Sequence, residues 1–181
     1  MSPLHRSRRR RARTGVLEIH RETGPPRLTS VVHDGQRVCD LEVAVDHSGG
    51  AIRHVDGWGL HVGHPPASGE WWLVDDDGMP RATIARNSPF GERFHLEFGD
   101  TAFDVAPVGR WWRRRWAVCD SEERTVVEVV QRLLTRPVHD LHLRSGDLPV
   151  ELAFVVAWLL AARTTRGLSP TRHPRYGAPA T

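Results

Sequence analysis

The chain contains no lysine. All 25 of its basic residues are arginine, so no lysine-based headgroup motif can be matched in it. Cysteine is nearly absent as well, with two residues in 181. Cys39 and Cys119 each sit in a Val-Cys-Asp triplet late in an apolar run. That placement predicts two small core side chains rather than a bridge, and a reduced, cytoplasmic protein. No apolar segment follows the basic N-terminus, because Arg13-Thr14-Gly15-Val16-Leu17-Glu18 interrupts it at once. A twin-arginine export signal would need that segment. Gly-x-Ser-x-Gly, Walker, His-Glu-x-x-His and Cys-x-x-Cys motifs are all missing. Neither cysteine has an adjacent histidine or a helix N-terminus to make a thiolate. The expectation is a protein that is not an enzyme and holds no cofactor.

Metal ligation is weakly signalled. His61 and His64, and again His139 and His142, have a three-residue spacing. On a strand such positions face opposite sides, so each pair alone is a poor chelator. Zinc usually takes four ligands. Asp75-Asp76-Asp77-Gly78 has its acids consecutive rather than alternating. It reads as a hairpin turn, not as a calcium loop. No metal is expected.

Charge is distributed unevenly. Arg6, Arg8, Arg9, Arg10, Arg11 and Arg13 all precede residue 15, and the other 19 arginines face 22 acidic residues. The body therefore carries a net charge of −3, and the high isoelectric point belongs to the tail. Residues 1–14 read as a disordered, solvated tail, with an electrostatic tether as the functional alternative. Residues 167–181 read as a second flexible tail.

The stretch with most structural content is near the end. From Leu152 to Ala162 there is no polar residue. Asp147 is placed to cap a helix, and Pro149 fits its first turn. Arg163 and Arg166 suit its C-terminal dipole, and Gly167 and Pro170 end it. A helix over about 148–165 is expected. Apolar all round, it must be enclosed by protein or lipid. Eleven apolar residues are too few for a bilayer span, which needs about 20. A plug inside the domain is expected, with Trp158 buried and no transmembrane span.

Before that helix the pattern is strand after strand. Arg27–His33 runs through Asp34-Gly35, a two-residue hairpin signal, into Gln36–Val45. His47-Ser48-Gly49-Gly50 reads as a loop. Glu70–Val74 and Arg81–Arg86 flank the Asp75–Gly78 turn, and Phe94, Leu96 and Phe98 alternate onto one face. Val126–Leu134 could be helix by period, but its β-branched content favours strand. Trp72 with its hairpin resembles Trp116 with its own, at an offset of 44 residues. A sheet wrapped round the helix covers both and removes exposed edges.

This layout resembles the tubby C-terminal-like barrels, the group of the tubby, phospholipid scramblase and LURP-one-related families. The residues that carry it are the Trp/Val–Asp–Gly hairpins and Asp147-Leu148-Pro149 leading into Phe154–Leu160. The resemblance covers residues 15–166. It implies a mainly β fold: a closed antiparallel barrel of roughly a dozen strands around a central hydrophobic C-terminal helix. It also implies a non-catalytic module that binds an anionic membrane surface or a macromolecule. The alternative is a nucleic-acid-associated protein. Gly109-Arg110-Trp111-Trp112-Arg113-Arg114-Arg115-Trp116 is the partner site of choice, because arginine can hold phosphate while an indole sits at an interface or stacks on a base. Arg110, Arg113, Arg114, Arg115 and Trp111 are its candidate residues. In the plainer reading Trp116 and one of Trp111 and Trp112 are core anchors, and the arginines form a solvated connection between two hairpins. A monomer, peripheral to a membrane at most, is expected.

Overall fold

The computed structural model describes residues 16–21, 27–44, 49–63, 70–87, 92–109, 115–131, 139–145 and 148–166. Both tails fall outside them, as do Arg110, Trp111, Arg113 and Arg114.

Twelve antiparallel strands close into one barrel. In chain order they are β1 Val16–Arg21, β2 Arg27–His33, β3 Gln36–Val43, β4 Gly49–His54, β5 Gly59–Gly63 and β6 Glu70–Asp75. Then come β7 Pro80–Arg86, β8 Phe94–Phe98, β9 Thr101–Val108, β10 Arg115–Cys119, β11 Thr125–Gln131 and β12 His139–Leu143. Each strand pairs with the next, and β12 pairs with β1 from Val16↔His142 to Ile19↔His139. No edge is left to pair with another chain.

The helix α1, Val150–Arg166, is the last element. Every residue from Leu152 to Ala162 is buried, with Trp158 at 1% exposure. Inward-facing residues of the strands meet it: Leu41 and Val43 of β3, Ile52 of β4, Leu73 of β6, Ile84 of β7 and Leu141 of β12 are all fully buried in the same core. The alternation read from the sequence is what supplies this lining, since every second strand residue points inward. Among the described residues no helix is long and apolar enough to cross a membrane.

The helix begins at Val150, and the Leu152 N–H donates to the Pro149 carbonyl (3.1 Å), so Pro149 opens its first turn as expected. Two local expectations need correction. Gly49 and Gly50 are not loop; they open β4. They read as loop because glycine is a poor strand former, but here the backbones leave no room for a side chain. A Cβ on Gly49 would stand 2.1 Å from the Val62 carbonyl oxygen, and one on Gly50 would stand 2.0 Å from that of Glu42. Finally, the turn hydrogen bonds of the repeated hairpins, at Asp75, Gly78 and Met79 and at Asp120, Glu123 and Arg124, correspond at an offset one residue greater than 44. Trp71 and Trp116 are the buried equivalents, each 5% exposed, whereas Trp72 is 48% exposed on the outer wall.

Candidate functional site: a cleft at the acidic mouth and a basic opposite pole

In an up-and-down barrel alternate connections share one end. The turns β2–β3, β4–β5, β6–β7, β8–β9 and β10–β11 therefore gather at the end where the helix starts. Three of them are built alike. In each, the first residue donates its N–H to the carbonyl four residues on and accepts from the N–H three residues on. The pairs are His54 with Trp58 and Gly57, Asp75 with Met79 and Gly78, and Asp120 with Arg124 and Glu123. The fourth residue takes positive φ: 89° at Gly57, 77° at Gly78 and 60° at Glu123. Glycine adopts this freely, and Glu123 does so at a steric cost.

The first side chain locks each turn. Asp75 Oδ1 accepts the Asp77 and Met79 N–H groups at 3.1 and 2.8 Å, and Asp120 Oδ1 accepts those of Glu122 and Arg124, both at 3.0 Å. His54 Nδ1 accepts the Asp56 N–H at 3.1 Å in the same way. Arg81 closes on Asp75 (2.7 Å) and Arg124 on Asp120 (2.9 Å). The Met79 N–H, helped by Arg81, holds the Asp75 carboxyl below its ordinary value. At Asp120 desolvation pushes upward, but the Arg124 side chain and two backbone donors outweigh it, and that carboxyl too lies low. Asp76 ties neighbouring hairpins together, accepting from Gly59 N–H and His61 Nε2, both at 3.1 Å.

These turns and the helix start enclose a cleft of about 1050 Å³. Trp58, Phe103, Leu148 and Val150 give it an apolar lining, and Asp56, Asp75, Asp100, Asp120 and Glu151 contribute carboxylates. The His54 ring stacks on Trp58 at 4.9 Å and 9°, and Phe154 of the helix packs under both, at 5.6 and 5.9 Å. The two arginines in the cleft, Arg81 and Arg124, already hold carboxylates. The site is thus an apolar pocket with an acidic rim.

The other pole has the opposite sign. Arg21 ends β1, Arg27 starts β2, Arg86 ends β7, Arg115 starts β10 and Arg166 ends the helix. Arg86, Arg93 and Arg115 are exposed there. Arg163 pairs with Glu92 and lies over the Trp116 ring, 4.5 Å from its centroid. Of the sequence-predicted site residues, Arg115 alone is among the described ones. It faces Glu128 at 3.3 Å, remains 46% exposed, and shares that carboxylate with Arg144. Arg110, Trp111, Arg113 and Arg114 lie between the ends of β9 and β10, which are both at this pole. Sequence reasoning missed the segregation because net charge was summed over the whole body. The signal was present in part: the acids Asp34, Asp56, Asp75–Asp77, Asp100 and Asp120–Glu123 fall at one set of alternate connections, and the arginines of 109–114 and 132–138 fall in the other set.

The remaining candidates do not converge on one site among the described residues. Cys39 is buried, and desolvation with Asp40 alongside pushes its thiol up to about 12. Burial holds the His139 imidazole below its ordinary value. His61 is engaged with Asp76, and His64 lies outside the described residues. Among the described residues, no three His, Cys, Asp or Glu side chains converge as a metal requires.

No family model matches the chain. No curated protein matches it either. Its fold is similar to that of a protein from Arabidopsis thaliana known from an X-ray structure, with a TM-score of 0.58 over 83% of this chain and 93% of that one. At 10% identity this is a likeness of fold.

Proposed function

We propose that the chain is a non-catalytic, tubby-like module that docks on an anionic membrane surface through the basic pole of its barrel. The observation that carries this is the separation of charge along the barrel. A body with net charge −3 would not approach an anionic surface if its charges were mixed. Here the helix, about 26 Å long at 1.5 Å per residue, runs from the acidic mouth to the basic end. That separation exceeds the Debye length of about 10 Å at 0.1 M salt. A surface meeting the basic end barely senses the acidic one. Each arginine near such a surface contributes about 1 kcal/mol, so Arg86, Arg93, Arg115 and the arginines of 110–114 suffice together where one would not. Trp111 supplies the indole suited to the headgroup layer.

Vesicle flotation of the full chain tests this. Binding to phosphatidylserine-containing vesicles is expected, and none to pure phosphatidylcholine. Replacing Arg93, Arg110, Arg113 and Arg114 with serine should weaken it at least tenfold, four contacts at about 1 kcal/mol each being available. The melting temperature should hardly move. Undiminished flotation of that variant refutes the reading. A shift of duplex DNA without vesicle binding would favour the nucleic-acid alternative instead.

A further inference from the structure

The mouth and the tail have complementary charge and adjacent positions. β1 begins at Val16, opposite His142 of β12, on the mouth side of the barrel. His33 Nδ1 donates to the Val16 carbonyl at 3.1 Å, which fixes that strand start beside the β2–β3 turn. Arg13 is three residues away in sequence and Arg6 is ten. At about 3.5 Å per extended residue they reach roughly 10 and 35 Å, so the segment leaves the barrel on the mouth side with about 35 Å of reach. The cleft has room for side chains, and its apolar walls suit guanidinium stems. Asp100 lines it, and Asp77 and Glu123 sit in the turns that supply Asp75 and Asp120 to its lining; all three are exposed and meet no arginine among the described residues.

We propose that the mouth cleft is the docking site of the chain's own arginine-rich segment, residues 1–15. Guanidinium groups take the rim carboxylates that Arg81 and Arg124 leave unengaged, and the segment's stems cover Trp58 and Leu148. Docking neutralises the acidic end and removes the tail from competition for anionic surfaces. It goes beyond the membrane reading and does not depend on it.

The test uses the full chain with Ser7→Cys and Cys119→Ser, carrying a nitroxide at residue 7. Cys39 is buried and does not react. The nitroxide should broaden the indole N–H signal of Trp58, which lines the cleft, and spare that of Trp72 on the outer wall. The broadening should vanish at about 1 M salt, where the Debye length is about 3 Å. It should fall severalfold in Asp77→Asn/Asp100→Asn/Glu123→Gln, whose side chains do not hold the turns. Equal broadening of both indoles, or none, overturns the proposal. So does broadening that survives salt and the triple substitution. Mixing a spin-labelled chain with an isotope-labelled one separates a second copy from the chain's own tail. Broadening across the mixture would make the second copy the occupant and overturn the intramolecular form.

Discussion

Replacing Leu159 with aspartate unfolds the protein. Leu159 is 2% exposed, in a helix whose residues 152–162 are all buried. It belongs to the hydrophobic core cluster that the strands and the helix share. Truncating such a leucine to alanine costs about 2–5 kcal/mol. An unpaired charge adds several more, as desolvation or as the cost of keeping the acid protonated. Domains have roughly 5–15 kcal/mol in total, so the substitution uses most or all of it. Circular dichroism and tryptophan emission should show loss of the cooperative melt at 25 °C. A variant that melts within a few degrees of the parent would show that the helix is not enclosed.

Gly50→Ala is expected to be nearly as damaging, although it adds one methyl group. That methyl would stand 2.0 Å from the Glu42 carbonyl oxygen and 2.9 Å from Trp158 Nε1. These two atoms are hydrogen-bonded at 2.8 Å, the bond that seats the largest buried side chain of the helix against β3. Backbone cannot yield as a flexible side chain would. Overpacking costs about 1–3 kcal/mol, and freeing the buried indole N–H costs about 1–3 more. Thermal melting should fall by about 10 °C or more, at about 2–4 °C per kcal/mol for a domain of this size. Gly63→Ala is the control. A Cβ there meets nothing within 4 Å, and its melting temperature should stay within a few degrees. Equal melting of the two variants would contradict the close approach at Gly50.

The plug helix was legible because eleven apolar residues in a row permit few other readings. The barrel followed from it, since a helix apolar on all sides needs a sheet on all sides. Trp158 was placed correctly in the core for the same reason, and of the core-anchor reading of Trp116 and one of Trp111 or Trp112, the Trp116 part holds, because a large indole is costly to leave exposed. β4 was not legible. Gly49 and Gly50 match a loop by propensity, and the close backbone approach that demands them comes from Val62 and Glu42, which only the strand pairing brings near. The hairpin repeat was read one residue short because Trp71 and Trp72 are adjacent, and composition does not say which indole faces inward. The cleft was invisible for a different cause. His54, Asp75, Asp100 and Asp120 line it from four separate turns, and only barrel closure collects them. The arginine cluster at 110–115 was legible as a cluster, but that the end of β9 and Arg115 at the start of β10 lie at one pole follows from the topology.

Hydrogen exchange on vesicles tests the central claim most directly: the basic end meets the anionic surface and the acidic mouth faces away. The full chain would be exchanged free and bound to phosphatidylserine-containing vesicles. Amides at the starts of β8 and β10, around Phe94 and Trp116, should gain protection on binding. Those of the mouth turns at Asp75–Met79 and Asp120–Arg124 should be unchanged. Protection at the mouth turns with none around Phe94 and Trp116 would contradict the account.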